Sequence, residues 1–181
     1  VRGFGFDVGG RVFIDKQPMN TVNLPVITKL FPDAKILFAI RDPRDVVFSC
    51  FRRRFQINPS NFELLSLESV ARYYDRVMYL ADLYRERLPM NLMDLRHERL
   101  VEDFEGQVRK VCDFIGVPWN DTMRDFAEHS KSRAIATPSA TQVTRGINRE
   151  GIDHWRRYAK ELAPVLPILA PWVKRYGYAP D

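Results

Sequence analysis

The sequence predicts an α/β protein, and three observations point there. A short apolar run, Ile36 to Ile40, ends in Arg41-Asp42-Pro43, so a strand passes directly into a helix start. A second short stretch, Asn91 to Leu95, follows a long amphipathic segment that Pro89 ends. Strand-like and helix-like stretches therefore alternate along the chain, the pattern of a parallel sheet flanked by helices. Two or three strands are too few for an independent doubly wound sheet, so we expect part of the sheet outside this sequence. The chain starts at Val1 and not at Met, which fits that expectation.

Taken in order, residues 1–15 read as a loop followed by a short strand, Arg11 to Ile14, after Gly9-Gly10. Asp15-Lys16-Gln17-Pro18-Met19-Asn20 is a polar turn holding one lysine. Residues 21–31 carry an imperfect apolar stripe (Leu24, Ile27, Thr28, Leu30-Phe31) and predict a helix that Pro32-Asp33 breaks. Lys35 to Ile40 predicts a buried parallel strand. Beyond it, Asp42 suits an N-cap, Pro43 the first helical position, and Asp45 adds negative charge to the first turn. On that helix Val46, Val47, Cys50 and Phe51 share a face expected to pack on the sheet. Asp45, Ser49, Arg52 and Arg53 fall on the other side.

Asn58 to Leu65 predicts a loop, and Leu67 to Leu88 a long helix striped by Val70, Tyr73, Tyr74, Val77, Ala81, Tyr84 and Leu88. After the second strand, Leu100 to Ile115 predicts a helix closed by Gly116, with Pro118 beyond. Asn120 or Asp121 would cap a short helix running to about His129. Residues 130–150 are rich in Ser, Thr and Arg without periodicity and predict a loop. The tail resumes near Gly151 with Trp155 and Tyr158, and Pro164, Pro167 and Pro171 interrupt or kink its helix.

At 181 residues the chain is one domain's worth of sequence, so 1–181 is expected to form a single, partial domain. Its 45% hydrophobic and 28% charged residues are ordinary for a soluble globular protein. No apolar run approaches the roughly 20 residues a membrane span needs, and no signal peptide is visible, so a cytoplasmic location is expected. Cys50 and Cys112 sit among apolar residues and make neither a disulfide framework nor a metal cluster; core thiols and no metal are expected. The net charge of +5 suggests acidic partners. It does not choose among nucleic acid, anionic lipid, polysaccharide and an anionic cofactor.

The position of that charge is more informative. Arg41 lies at the carboxyl end of a strand, where open α/β sheets place their ligands. Ser49 and Arg53 follow on the helix. A guanidinium and a hydroxyl at a strand–helix junction are the layout of a phosphate site, because a phosphate monoester takes short charge-assisted bonds from arginine. The plain structural alternative pairs Arg41 with Asp45 and leaves Ser49 facing solvent.

Four stretches, in order, resemble the sulfotransferases that use 3′-phosphoadenosine 5′-phosphosulfate (PAPS). They are Asp15 to Asn20; Phe31 through Arg41-Asp42-Pro43 to Ser49; Arg96 to Val101 leading to Phe114 to Trp119; and Thr137-Pro138-Ser139 with Gln142-Val143, leading to Trp155 to Tyr158. The chain looks most like the bacterial branch related to protein-tyrosine sulfotransferases. The resemblance implies a P-loop-NTPase-like fold, a three-layer parallel sheet flanked by helices, whose first βα unit lies upstream. It implies sulfuryl transfer from PAPS to a hydroxyl acceptor (a small molecule, a glycan or a peptide tyrosine), leaving adenosine 3′,5′-bisphosphate, with no metal and no nucleic-acid partner.

By the same resemblance Arg41 and Ser49 hold the 3′-phosphate, with Arg53 one turn further on. Ser139 lies near the transferring group, and Arg145 belongs to a basic loop over the nucleotide. Lys16 is the implied catalytic residue, aimed at the oxygen bridging sulfuryl group and nucleotide. A loose transition state builds charge there, and a cation stabilises it.

The sequence departs from that family in three places. The loop for the 5′-phosphosulfate is absent: the glycine-rich Gly3-Phe4-Gly5-Phe6-Asp7-Val8-Gly9-Gly10 lacks the lysine and the following Ser or Thr. Pro18 stands where cytosolic relatives carry a histidine base, so no base is assigned, and His129 and His154 read as surface or structural residues. His97 stands where relatives usually place a tyrosine on the adenine. Trp155 reads as a packing residue. Three competing readings follow: a polyanion or nucleic-acid module built on Arg52, Arg53 and Arg54, a catalytically inactive sulfotransferase fragment, and a P-loop kinase relative, which the missing Walker motif disfavours.

Overall fold

The computed structural model describes residues 11–53, 55, 61–126 and 146–180. Two strands, β1 (Lys35–Ile40) and β2 (Asn91–Arg96), pair in parallel, with Lys35 opposite Asn91 and Ile40 opposite Arg96. The helices are α1 (Leu24–Leu30), α2 (Pro43–Arg52), α3 (Leu67–Arg87), α4 (His97–Glu102), α5 (Phe104–Ile115), α6 (Ala159–Leu162) and α7 (Leu166–Arg175). The fold is α/β: a small parallel sheet among many helices.

The helix starts follow local chemistry. Asp42 caps α2, its side chain accepting from the Arg44 N–H, with Pro43 in the first turn. Ser66 caps α3 through Ser69 N–H, and α5 ends on Gly116 at φ 81°, a left-handed conformation that glycine adopts without strain. Pro25 marks the start of α1, and a 3₁₀ turn, Pro18–Asn23, precedes it.

Two apolar clusters form the core. One joins Val47 and Phe48 of α2, Val70 and Ala71 of α3, Trp155, Leu162 of α6, Val165, and Leu169 of α7. The other joins Phe38 and Ile40 of β1, Met78 and Ala81 of α3, Trp172 of α7, and Tyr176. Helices α3 and α7 belong to both, and Trp172 Nε1 ties them by donating to Asp75 Oδ1 at 2.7 Å.

Several expectations need correction. Arg11 to Ile14 is not a strand; Val12, Phe13 and Ile14 are exposed, so burial does not reward an extended conformation there. Strand β1 is buried on one face, Phe38 and Ile40, whereas Leu37 is 40% exposed on the other. The predicted Leu100–Ile115 helix is two helices, because the Asp103 side chain accepts from Gly106 N–H and starts a new one. The buried face of α2 is Pro43, Arg44, Asp45, Val47 and Phe48, and Phe51 is exposed. That face is rotated because α2 packs mainly on α3, α7 and the His154–Tyr158 turn and not on the sheet.

Cys112 is buried and Cys50 half-buried, both free thiols. Trp155 is a packing residue, 1% exposed. The loop assigned to residues 130–150 and the helix running to His129 fall largely outside the described residues, which give only a 3₁₀ turn at Asp121–Asp125 capped by Asn120.

Leu169 is fully buried on α7. We expect Leu169→Ala to cost about 2–5 kcal/mol through lost burial and a residual cavity. Arg72→Ala, which removes an exposed ion pair with Glu68, should cost under about 0.5 kcal/mol. Urea denaturation of the two variants checks the contrast.

Candidate functional site

Because β1 and β2 are parallel and in register, their carboxyl ends lie side by side. The residues that follow, Arg41 and His97, therefore open onto one cleft, of about 810 Å³. Helix α2 forms a second wall: Asp45, Ser49 and Arg53 recur at four-residue spacing and all line the cleft. The segment from Gly146 to Arg157 forms the third wall, and Leu100, Val101 and Phe126 add apolar surface.

Arg41 is half-buried, and its Nη2 donates to the Gly151 carbonyl. The Arg41 Nε–H is buried with no hydrogen-bond partner among the described residues. Gly151 permits the approach, since a Cβ there would lie 2.9 Å from Arg41 Nη2. Arg52 extends along the rim, its Nη1 3.2 Å from His154 Nδ1.

Asp45 sits on the cleft floor at 1% exposure. Its Oδ1 accepts from the Trp155 backbone N–H at 2.8 Å, and Oδ2 is buried without a partner among the described residues. Burial raises its pKa to about 6, against the pull of the Trp155 N–H and the Arg41 guanidinium. Burial also lowers the pKa of His97, with Arg41 adding to the effect. His154 moves the same way through burial and then Arg52, Arg157 and Arg41. The cleft thus concentrates guanidinium groups, disfavours the charged form of its imidazoles, and holds the buried Asp45 carboxyl.

Residues 6–121 match the profile of the Sulfotransferase family, well over half of the chain. The chain belongs to the sulfotransferase family. It is 28% identical to an uncharacterized protein of Aquifex aeolicus over 163 residues, 90% of this chain and 21% of that one. With protein-tyrosine sulfotransferase 1 of Danio rerio it shares 26% identity over 92% of this chain and 48% of the other. With protein-tyrosine sulfotransferase A of Caenorhabditis elegans the identity is 24%, over 92% and 45%. The chain spans about half the length, or less, of these relatives.

Of the residues nominated from sequence, the structure brings Arg41, Ser49 and Arg53 together on one cleft. Lys16 is exposed and does not line it. Ser139 and Arg145 lie outside the described residues. Sequence reasoning missed Asp45 as a buried group, and it missed Gly151 and Arg157; it also set His154 aside, although His154 lines the cleft. The available signal was the tail motif around Trp155: a buried tryptophan that follows a glycine by four positions carries its neighbours to wherever it packs.

Folded Asp45 holds its proton more tightly than the unfolded chain, whose carboxyl titrates near 3.8. Its favourable contribution is complete below about pH 4 and is lost as pH rises through about 6. Asp45→Asn cannot ionise, so its melting temperature relative to wild type should climb between pH 4.5 and 7. Parallel melts across that range measure the difference, and a flat difference would contradict the raised pKa.

Proposed function

We propose that this chain supplies the 3′-phosphate half of a PAPS site, in a sulfotransferase that transfers a sulfuryl group to a hydroxyl acceptor. The observation that supports the reading is the convergence of Arg41, Ser49 and Arg53 on a cleft at the carboxyl ends of two parallel strands. A 3′-phosphate there would meet the Arg41 guanidinium and the Ser49 hydroxyl, with Arg53 adding charge. The apolar surface of Leu100, Val101 and Phe126 suits the flat part of a nucleotide.

On this reading the single domain of residues 1–181 is the carboxyl-terminal part of a three-layer, P-loop-like sheet. The strand and loop for the 5′-phosphosulfate come from sequence outside it. Ser139 and Arg145 join the nucleotide site, and Lys16 stabilises charge on the bridging oxygen. Several relatives are named protein-tyrosine sulfotransferases, which makes peptide tyrosine the first acceptor to try. No helix among the described residues is long and apolar enough to cross a membrane.

In the full-length protein, adenosine 3′,5′-bisphosphate should raise the melting temperature in proportion to the logarithm of its concentration above Kd. The gain is about 2.7 kcal/mol at a hundredfold excess over Kd. Arg41→Ala should abolish the shift. No shift at saturating bisphosphate would sink the cofactor assignment, and a binding that collapses with salt without needing the 3′-phosphate would favour the polyanion module. Lys16→Ala should lower kcat while leaving bisphosphate affinity within about twofold, because its charge acts on the transition state.

A further inference from the structure

Two contacts close the Gly151–Trp155 segment over the strand–helix junction, and they lie on either side of the same group. The Gly151 carbonyl accepts from Arg41 Nη2, and the Trp155 N–H donates to Asp45 Oδ1 at 2.8 Å. The chain turns tightly as it enters and runs through this segment. The Ile152 N–H donates to the Arg149 carbonyl at 3.0 Å, and Asp153 takes a left-handed φ of 55°, uncommon for a residue with a Cβ. The turn is held by what grips its ends.

At the Trp155 end the grip is firm. Trp155 is itself core, packed against Val47, Phe48 and Leu169, and the Arg44 guanidinium lies 4.0 Å from its ring. Asp45 adds a directional bond to this packing, made to the backbone and not to the side chain. At the Gly151 end the side-chain grip among the described residues is Arg41.

We propose that Asp45 is a positioning residue: its buried carboxyl fixes the Gly151–Trp155 segment to α2, and the fixed Gly151 carbonyl in turn orients the Arg41 guanidinium. With Nη2 held by that carbonyl, the Arg41 guanidinium is fixed at the cleft, its Nε–H buried. An anion then meets a preorganised donor whose conformational entropy is already lost. The buried carboxyl is costly to maintain, as its raised pKa shows. A packing role alone would not need that cost, since an apolar residue of similar size fills the same space. Oδ2, buried without a partner among the described residues, leaves the carboxyl asymmetric: one oxygen anchors the segment and the other makes no hydrogen bond there.

The inference rests on the reading of the cleft as an anion site, and its test has arms with and without ligand. In the full-length protein without ligand, Asp45→Ala should accelerate hydrogen exchange of the Trp155 amide and of the Arg41 Nε–H at least tenfold. Asp45→Asn keeps an acceptor oxygen and should hold both near wild type. With adenosine 3′,5′-bisphosphate as probe, well below the melting temperature, Asp45→Ala should weaken binding at least tenfold and Asp45→Asn by less than about threefold. Alanine and asparagine variants of equal affinity and equal protection would overturn the proposal, as would a loss of stability in Asp45→Ala with unchanged Kd and unchanged exchange. If the wild type binds no bisphosphate, the cofactor reading fails, and the two exchange rates still decide what Asp45 holds.

Discussion

Parallel pairing of β1 and β2 in one register governs everything at this end of the molecule. Ile40 stands opposite Arg96, so both strands stop at the same level and their following helices begin side by side. Glu98, on the first turn of α4, uses that proximity. Its Oε1 accepts from the Asp42 N–H at 3.1 Å, and its Oε2 accepts from the Tyr178 hydroxyl at 2.8 Å. The carboxyl-terminal residues complete the lock: Arg44 donates to the Ala179 carbonyl and Arg96 to the Tyr176 carbonyl. A tail that sequence would treat as an afterthought thus straps both strand ends and fixes the direction in which Arg41 leaves β1.

The same junction buries charge, and the arrangement follows from the cost. Asp42 and Arg44 form an ion pair at 2.8 Å with side chains 6% and 3% exposed. Both side chains make further contacts: Asp42 also caps α2, and Arg44 reaches the Ala179 carbonyl and the Trp155 face. Such pairs contribute little net stability, yet losing one partner strands the other in low dielectric at about 3–5 kcal/mol. The Arg41-Asp42-Pro43-Arg44 sequence is therefore mostly a structural joint. Only Arg41 within it faces the cleft, which is why a phosphate-site motif and a helix-start motif overlap there.

Much of this was legible in sequence because it depends on local rules. Lys35 to Ile40 and the long α3 were readable from apolar pattern and breakers, and Asp42 and Pro43 announced α2 through capping chemistry. What sequence could not supply was rotation. Asp45 looked solvent-facing on a wheel that assumed α2 packs on the sheet, and the true partner, the Trp155 turn, lies 110 positions away. The same blindness to distant chain hid Gly151, whose lack of a Cβ matters only once Arg41 lies against it. Pairing of Leu100–Ile115 as one helix failed for a smaller reason: a single Asp103 side chain satisfied the amide that a continuous helix would have bonded.

The cleft's electrostatics follow from the side chains gathered around it. Arg41, Arg52, Arg53 and Arg157 line a space in which burial, and then guanidinium groups among them, lower the pKa of His97 and His154. Neighbouring cations repel one another, and the Arg41 guanidinium lies close enough to Asp45 to pull its pKa down against the effect of burial. A phosphate dianion would reverse the field at both imidazoles, raising their pKa, while pushing the proton affinity of Asp45 higher still. Both responses would move protons onto the protein, so an anion bound here would take up protons with it. The groups through which it would do so line one cleft: the buried Asp45 carboxyl and two imidazoles, with the arginine that leaves the end of β1.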